Sequence, residues 1–181
     1  MTLRILPAAG YRAMPWKNGG GVTREILALP TPGDWDIRLS MATVATDGPF
    51  SVFPGIDRTL TVLAGDPMEL TVAGAPAVRL APGQPFAFPG DAETGSRLTG
   101  GTVTDFNVMT RRGRIRHSVT ARGPGEPLRH AGFAAALVLR PVEGTGGPGL
   151  FDLILPEAGE TLTVPVPVLW VVCESVAAPS R

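Results

Sequence analysis

The sequence predicts an all-β protein, and three observations support this fold class. Short runs rich in valine, leucine, threonine and phenylalanine recur along the 181 residues. The 23 glycines and 19 prolines are spread between these runs as turn residues and form no low-complexity block. No window of helical length keeps an amphipathic stripe free of glycine or proline. Short strands separated by regular turn signals are typical of a β-sandwich or a β-barrel.

The predicted strands follow one another at regular spacing. In chain order they cover residues 36–42, 59–63, 68–72, 85–88, 104–110, 134–140, 151–155 and 162–173. A short helix over residues 133–139 competes with one of these strands. That segment ends in Val-Leu, which fits a strand equally well.

The strands fall into a larger N-terminal unit and a smaller C-terminal one. Residues 1–115 are predicted to form the main β unit. A basic stretch rich in proline and glycine follows, and we predict that residues 116–132 form a connector. Residues 133–181 would form a smaller, degenerate β unit, although the two halves show no obvious sequence repeat.

Charge and composition argue against several kinds of partner. Sixteen acidic and sixteen basic side chains cancel, which gives no support to nucleic acid or an acidic membrane as the main partner. No segment approaches the roughly 20 apolar residues of a membrane helix, and residues 1–10 contain no run typical of a signal peptide. The single cysteine, Cys173, precludes an intramolecular disulfide. We therefore expect a cytoplasmic protein with no nucleic-acid or membrane partner.

Proline-glycine turns in the middle of the chain are typical of a cupin barrel, which is a double-stranded β-helix. Two such turns frame the strand within residues 80–91, and another strand closes at residues 63–66. Metal cupins carry histidines and a glutamate on the strands beside these turns. This chain has only His117 and His130, so a site of three histidines and one carboxylate cannot be assembled. We predict that the protein uses no metal and no cofactor.

A tryptophan, an ammonium group and a carboxamide stand side by side near the N-terminus, at Trp16, Lys17 and Asn18. Three glycines follow, and glycine is used where the backbone takes a positive φ or comes close to another group. This segment is predicted to be a shaped turn that carries polar donors and leads into a strand. The turn either forms the wall of a pocket or closes the end of the barrel.

Arg58 opens a predicted strand and shares a face with Leu60 and Val62. An arginine on an apolar face is costly unless it meets an anion or several acceptors. One interpretation is a guanidinium that binds a ligand carboxylate. Another is exposure at the strand end. A third is a structural ion pair with one of three aspartates: Asp57, Asp66 or Asp105.

Asp105 and Asn107 alternate with Phe106 and Val108 along another predicted strand. If the apolar pair packs between sheets, the polar pair lies on the opposite side. Alternation alone does not decide whether that side is the barrel interior or solvent. The same question arises for Arg38 and its neighbours in the strand of residues 36–42.

Several motifs resemble those of the HutD/Ves family and occur in the family's order. They cover residues 14–21, 35–42, 47–58, 86–91 and 105–111. The resemblance implies a bicupin of double-stranded β-helix barrels that lacks a metal and has a smaller, degenerate C-terminal half. Some members accompany the histidine-utilisation pathway, with a suggested regulatory or ligand-sensing role. The chain departs from the family's strand motif at Asp36, where an aromatic residue is common.

The resemblance and the side-chain chemistry together predict a ligand-binding site. Its residues are Trp16, Lys17, Asn18, Arg38, Ser51, Arg58, Asp105 and Asn107. Arg58 as a planar fork and Lys17 as a point charge would hold a carboxylate. Asn18 and Asn107 would contact amide or imidazole-like groups as both donor and acceptor. Asp105 would accept from the ligand or orient Arg58, and Ser51 would be a minor donor.

Three functions remain open at this stage. The preferred one is a metal-independent protein that binds a small carboxylate or amino-acid catabolite, with a regulatory role in histidine utilisation. The second is a metal-independent isomerase or hydrolase in which Asp105 is the general base. The third is an interaction domain that forms a homodimer through exposed sheet edges. No phosphate loop, dinucleotide fingerprint or nucleophile elbow is present, so the preference goes to binding, and whether a reaction is catalysed stays undecided.

Overall fold

The structure is a computed structural model that describes residues 3–144 and 146–177. Within these residues the chain forms fifteen β-strands and one short 3₁₀ helix, Ala8–Gly10. Two compact units are present. The first unit is Arg12–Arg112, and the second unit joins the N-terminal residues up to Tyr11 to the chain from Gly113 onward.

The strands are named in chain order. They are β1 (Arg4–Leu6), β2 (Arg12–Pro15), β3 (Gly21–Pro30), β4 (Trp35–Val44), β5 (Gly48–Pro49), β6 (Ile56–Ala64), β7 (Met68–Val72), β8 (Val78–Leu80), β9 (Pro85–Pro89), β10 (Thr94–Leu98), β11 (Val103–Arg111), β12 (Ile115–Arg122), β13 (Phe133–Val138), β14 (Leu153–Leu155) and β15 (Val168–Ser175).

The first unit contains two antiparallel sheets. The six-stranded sheet has the order β2-β3-β4-β11-β6-β9, and the four-stranded sheet has the order β5-β10-β7-β8. Strands β4, β6 and β11 lie inside the larger sheet and are long and rich in apolar residues. In register, Met109 on β11 lies between Arg38 on β4 and Arg58 on β6. The pairing therefore brings two arginines from different strands to one face of the sheet.

An apolar cluster joins the two sheets of the first unit. Leu60, Val62, Phe88 and Val103 come from the larger sheet, and Met68, Leu70 and Leu80 come from the smaller one. Apolar side chains at alternate strand positions meet across the gap between the sheets, as expected for a β-sandwich or barrel core. This core fills one part of the interior, and it lies beside Arg58, whose guanidinium contacts the Phe88 ring.

The second unit is built on one five-stranded sheet with the order β1-β14-β13-β15-β12. All of its strand pairs are antiparallel. Its buried cluster consists of Leu128, Ala134, Ala136, Val138, Ile154, Leu162, Val164, Val168 and Trp170. An isolated bridge between Leu128 and Leu162 holds two of these residues, which lie outside the named strands.

The observed organisation differs from the predicted boundaries at two places. Residues 4–6 form β1, which pairs with β14, so the N-terminus belongs to the second unit and not to a unit of residues 1–115. The predicted connector of residues 116–132 contains most of β12, which pairs with β15 along its length. In β12, Ile115 and Val119 are half-buried, whereas Arg116 is exposed. That alternation is typical of a strand, but the arginines and flanking prolines hid it.

The competing helix prediction is wrong, because residues 133–138 form strand β13. The chain is all-β, with the one 3₁₀ turn as its helical part among the described residues. No helix in this described part has the length and hydropathy needed to cross a membrane.

Candidate functional site

A cavity of about 690 Å³ lies in the first unit. All eight residues predicted for the binding site line it: Trp16, Lys17, Asn18, Arg38, Ser51, Arg58, Asp105 and Asn107. Its wall comes from the six-stranded sheet, the turn between β2 and β3, and the loop that follows β5. A cavity of this size can hold a small organic ligand.

Arg58 is the buried cation of this cavity. Strand β6 places it on the same face as Leu60, and 8% of the residue is exposed. Its Nε donates to Asn107 Oδ1 at 2.8 Å. The guanidinium carbon lies 4.8 Å from the centre of the Phe50 ring and 5.3 Å from that of Phe88. Its Nη1 and Nη2 donate to no side chain or carbonyl among the described residues, so both are available to a ligand.

Asn107 links Arg58 to Asp105. Asn107 Nδ2 donates to Asp105 Oδ1 at 2.5 Å, while its own Oδ1 accepts from Arg58. Both residues face the cavity, which settles the question that strand alternation left open. A β-bulge between Thr104 and Asp105 shifts the pairing with β6 at this point. Bulges of this kind re-aim side chains, and they occur often beside functional sites.

The surroundings of Asp105 are apolar on both sides. It lies opposite Ala42 on β4 and Val62 on β6, and 1% of the residue is exposed. Its Oδ2 is buried and has no hydrogen-bonding partner within the described part of the chain. Burial raises the pKa of Asp105 to about 7, against the opposing effects of the Arg58 charge and the Asn107 hydrogen bond.

Arg58 responds to burial in the opposite direction. Burial lowers the pKa of Arg58 to about 10, the charge of Asp105 works against this, and the charge of Arg38 lowers it further. Arg58 therefore stays protonated at neutral pH, while Asp105 is close to the midpoint of its titration.

Arg38 also lines the cavity but already has a partner. Its Nε lies 2.9 Å from Glu25 Oε2, and Glu25 Oε1 accepts from Arg12 at 3.0 Å. The Arg38 guanidinium carbon lies 6.0 Å from the centre of the Trp35 ring. Sequence reasoning did not include Glu25. The signal was its position two residues after Thr23 in β3, which places both side chains on the cavity face.

The charged residues of the cavity wall carry a positive excess. Four cations line it, Arg12, Lys17, Arg38 and Arg58, against the two carboxylates of Glu25 and Asp105. With Asp105 near the midpoint of its titration, the excess is larger still. Such a field favours an anionic ligand.

The turn that carries Trp16, Lys17 and Asn18 is held by its own polar groups. Trp16 Nε1 donates to Thr23 Oγ1 at 2.8 Å, and Asn18 Oδ1 accepts from the Gly20 backbone N–H at 3.0 Å. One lone pair of Asn18 Oδ1 is therefore used within the turn, and Asn18 can still offer its Nδ2 and the second lone pair of Oδ1 to a ligand. Lys17 is exposed at the turn and lines the same cavity as Arg58.

Glycine is required at one position of this turn for steric reasons. A Cβ atom at Gly21 would collide with the carbonyl oxygen of Thr43 and would lie 3.0 Å from the Trp16 ring. Gly19 has a φ of +72°, a backbone conformation that residues with a side chain rarely adopt. The triple glycine thus allows the turn to pack closely against β4 and to present Trp16 to the cavity.

Aromatic rings form much of the remaining wall, and sequence reasoning did not assign them to the site. Phe50 and Phe53 flank the exposed Ser51 in the loop after β5, and all three line the cavity. The Phe53 ring contacts Trp35 edge-on, with 6.4 Å between the ring centres. Phe50 and Phe53 are three residues apart in a loop between Pro49 and Pro54, so strand alternation gave no signal that both rings would line one cavity.

Two arginines that follow one another at the end of β11 fix these walls. Arg111 donates to Asp36 at 2.7 Å and to the Trp35 carbonyl at 2.8 Å. Arg112 donates to the Ile56 carbonyl at 3.0 Å. It also forms ion pairs of 2.7 and 2.8 Å with two aspartates, Asp57 and Asp91. The start of the arginine-rich run is therefore engaged in ion pairs, and Asp36 is one of their partners.

The donor set of the cavity holds two carboxylates and no histidine. In the part of the chain that the structure describes, no three histidine, cysteine, aspartate or glutamate residues are grouped so that they could hold a metal ion.

Comparison with solved structures finds proteins that share this all-β fold. HutD from Pseudomonas fluorescens SBW25, in a formate condition, superposes with a TM-score of 0.87 at 29% identity and covers 97% of this chain and 100% of that one. A conserved protein of unknown function from Pseudomonas aeruginosa PAO1 gives 0.85 at 32% identity, with the same coverage. Protein Ylba from E. coli gives 0.67 at 11% identity over 93% of this chain and 89% of that one, which shows the fold alone.

Two curated relatives match part of the sequence. An uncharacterised 21.2 kDa protein in the hutC 3′ region of Pseudomonas putida is 44% identical over 109 residues, 59% of this chain. Protein Ves from Cronobacter sakazakii is 43% identical over 105 residues, 58% of this chain. The chain spans 57% and 58% of the lengths of these relatives. A family model described as HutD matches residues 8–145, so this chain belongs to the HutD family.

Proposed function

We propose that the first-unit cavity binds a small carboxylate, such as an amino-acid catabolite, without a metal. The observation that carries the proposal is the Arg58 guanidinium, which lines the cavity with Nη1 and Nη2 unengaged among the described residues. A buried guanidinium is costly unless its donors find acceptors. A carboxylate that accepts from both Nη atoms would supply them in the bidentate geometry that arginine favours.

The rest of the wall supports the same ligand class. Lys17, which forms no ion pair with any residue that the structure describes, adds a second cation, and the rings of Trp16 and Phe50 supply apolar surface for the ligand's carbon atoms. The Nδ2 of Asn18 and the hydroxyl of exposed Ser51 supply further donors. The ligand expected is therefore an acid with an apolar or planar body of modest size.

A regulatory role in histidine utilisation belongs to the proposal. One relative lies in the hutC 3′ region of Pseudomonas putida, and another is a HutD protein solved in a formate condition. A bicupin arrangement is proposed as well, since each of the two compact units carries its own antiparallel sheet. A homodimer through exposed sheet edges remains a prediction.

Isothermal titration calorimetry against urocanate, histidine, formylglutamate and glutamate tests this function. We expect at least one of these acids to bind, and Arg58→Met to weaken that binding by at least about thirtyfold. Arg97→Met is the matched control, because Arg97 is an exposed arginine of the same unit that is paired with Glu69 outside the cavity. Failure of all four acids to bind, or equal binding by Arg58→Met, would contradict the proposal. Preference for the histidine-derived acids over glutamate would support the pathway assignment.

A second candidate function is metal-independent catalysis with Asp105 as general base. The observation in its favour is the pKa of about 7, which suits proton transfer at neutral pH. Against it, Asp105 Oδ2 is buried and Oδ1 already accepts from Asn107. An assay for turnover of the acid that binds would decide, and unchanged turnover in Asp105→Asn would exclude Asp105 as the base.

A further inference from the structure

Asp105 is a buried carboxylate that depends on a charge it does not touch directly. No ion pair joins it to Arg58; the two are connected through the side chain of Asn107. Its Oδ2 has no hydrogen-bonding partner in the described ranges. A carboxylate in such surroundings stays ionised only if a nearby positive charge compensates for the lost solvation.

The compensating charge is that of Arg58, although other charged groups also line the cavity. These are Arg38 on β4, Glu25 on β3, Arg12 on β2 and Lys17 in the turn between β2 and β3. Arg12 and Arg38 are both engaged by Glu25. Arg58 is the charged group whose field acts on Asp105, and it favours the ionised carboxylate.

A ligand carboxylate bound to Arg58 would use the same charge. Two anions would then share one guanidinium in a largely buried space, and each would raise the free energy of the other. Protonation of Asp105 removes this repulsion at little further cost, because the free protein already holds the pKa of Asp105 at about 7.

We propose that Asp105 couples anion capture to proton uptake, so that one small anion and one proton enter the cavity together. This inference rests on the carboxylate-binding function proposed above. Because linkage is reciprocal, an anion that promotes protonation of Asp105 must bind more tightly as the pH falls. The cavity would then capture acids preferentially on the acidic side of neutrality and release them on the alkaline side.

The test uses formate as the probe, since it stays ionised from about pH 6 to about pH 9. Chemical-shift changes of the Trp16 and Trp35 indole N–H groups, measured during formate titrations, give the affinity at each pH. We expect the wild-type affinity to tighten by roughly twentyfold between about pH 8.5 and about pH 6.5. In Asp105→Asn the affinity should vary by less than about twofold over this range, because the titrating group is gone.

Glu25→Gln is the matched control, since Glu25 is the other carboxylate of the cavity wall but is paired with two arginines. Its absolute affinity for formate can change, but the dependence on pH should remain. Calorimetry of the wild-type protein in two buffers with different ionisation enthalpies measures the proton count directly and requires no variant. We expect an uptake close to one proton per formate at about pH 8.

The outcomes separate this inference from the function on which it rests. Formate binding that is independent of pH and takes up no proton would overturn the coupling but leave the anion site intact. A pH dependence that persists in Asp105→Asn would also overturn it, because another group would then be responsible. Absence of formate binding at every pH would contradict the carboxylate site itself, and the coupling with it.

Discussion

Both units are built from antiparallel strands, but different kinds of side chain are buried in their interiors. Nine buried residues in the described part of the chain are polar or charged, and all nine lie in the first unit. The buried cluster of the second unit is entirely apolar and is built around Trp170. Burying apolar side chains stabilises a sheet, whereas burying Arg58 and Asp105 carries a desolvation cost. The first unit therefore carries a desolvation cost that accompanies its charged cavity, and the apolar cluster of the second unit carries no such cost.

Trp170 in the second unit and Arg58 in the first unit both contact aromatic rings, but in different surroundings. Trp170 is 4% exposed on β15, and the ring of His130 contacts it edge-on, with 5.8 Å between centres. The His130 Nε2 is buried, and its Nδ1 lies 2.7 Å from the Gly132 carbonyl oxygen. Aromatic rings pack on a neighbour in both units. In the second unit the neighbour is an apolar cluster, and in the first unit it is a guanidinium.

Removal of the large apolar residue should produce the greatest loss of stability. Trp170→Ala deletes the largest side chain of the second-unit cluster, and we expect the free energy of unfolding to fall by about 3–5 kcal/mol. Urea denaturation measures this change. The folded fraction should still bind the acid identified by calorimetry, because Trp170 does not line the cavity. Loss of binding in folded Trp170→Ala protein would break the proposed division of roles.

A pH-dependent change in stability is expected from Asp105. Its pKa is raised in the folded protein, so between about pH 4 and about pH 7 the folded state holds a proton that the unfolded state has lost. This contribution to stability is therefore largest at low pH and is lost as the pH rises through about 7. The difference in unfolding free energy between wild type and Asp105→Asn should shift by roughly 2–4 kcal/mol over this interval, in favour of the variant at high pH. A difference in unfolding free energy that does not vary with pH would show that folding does not raise the pKa of Asp105.

The Arg58→Met substitution should affect binding more than folding. Methionine retains apolar contact with the Phe50 and Phe88 rings while removing the charge. We expect Arg58→Met to reduce carboxylate affinity by an amount equivalent to about 2 kcal/mol or more, and to change the unfolding free energy by less than about 1.5 kcal/mol. Calorimetry and urea denaturation on the same preparation give both numbers. A large loss of stability with retained affinity would assign Arg58 to structure.

A substitution in the turn before β3 should act on stability through close packing alone. Gly21→Ala places a methyl group against the Thr43 carbonyl, and we expect it to cost about 1–3 kcal/mol of stability. Gly95→Ala is the matched control, because a Cβ there meets open space in the same unit and Gly95 has no positive φ. Thermal unfolding compares the two variants. Equal stability would show that close packing does not explain the third glycine.

Sequence reasoning predicted the all-β fold and collected the cavity residues, because these depend on local patterns. Strand alternation placed Arg58 beside Leu60, and the resemblance supplied the turn at Trp16 and the polar residues of β11. Sequence patterns did not predict which distant strands pair with each other. The link from Arg58 through Asn107 to Asp105 needs the register of β6 against β11 and a bulge that no pattern marks. The N-terminal strand and β12 were also misassigned, since their partners, β14 and β15, lie far along the chain.

The most direct test of the central claim is a crystal structure of the wild-type protein soaked in formate at acidic pH. We expect a formate ion in the first-unit cavity, with its oxygens at hydrogen-bonding distance, about 2.7–3.2 Å, from Nη1 and Nη2 of Arg58. The bond from Arg58 Nε to Asn107 should remain in place. A formate-soaked crystal in which Arg58 turns to a direct ion pair with Asp105, and no anion occupies the cavity, would contradict the claim.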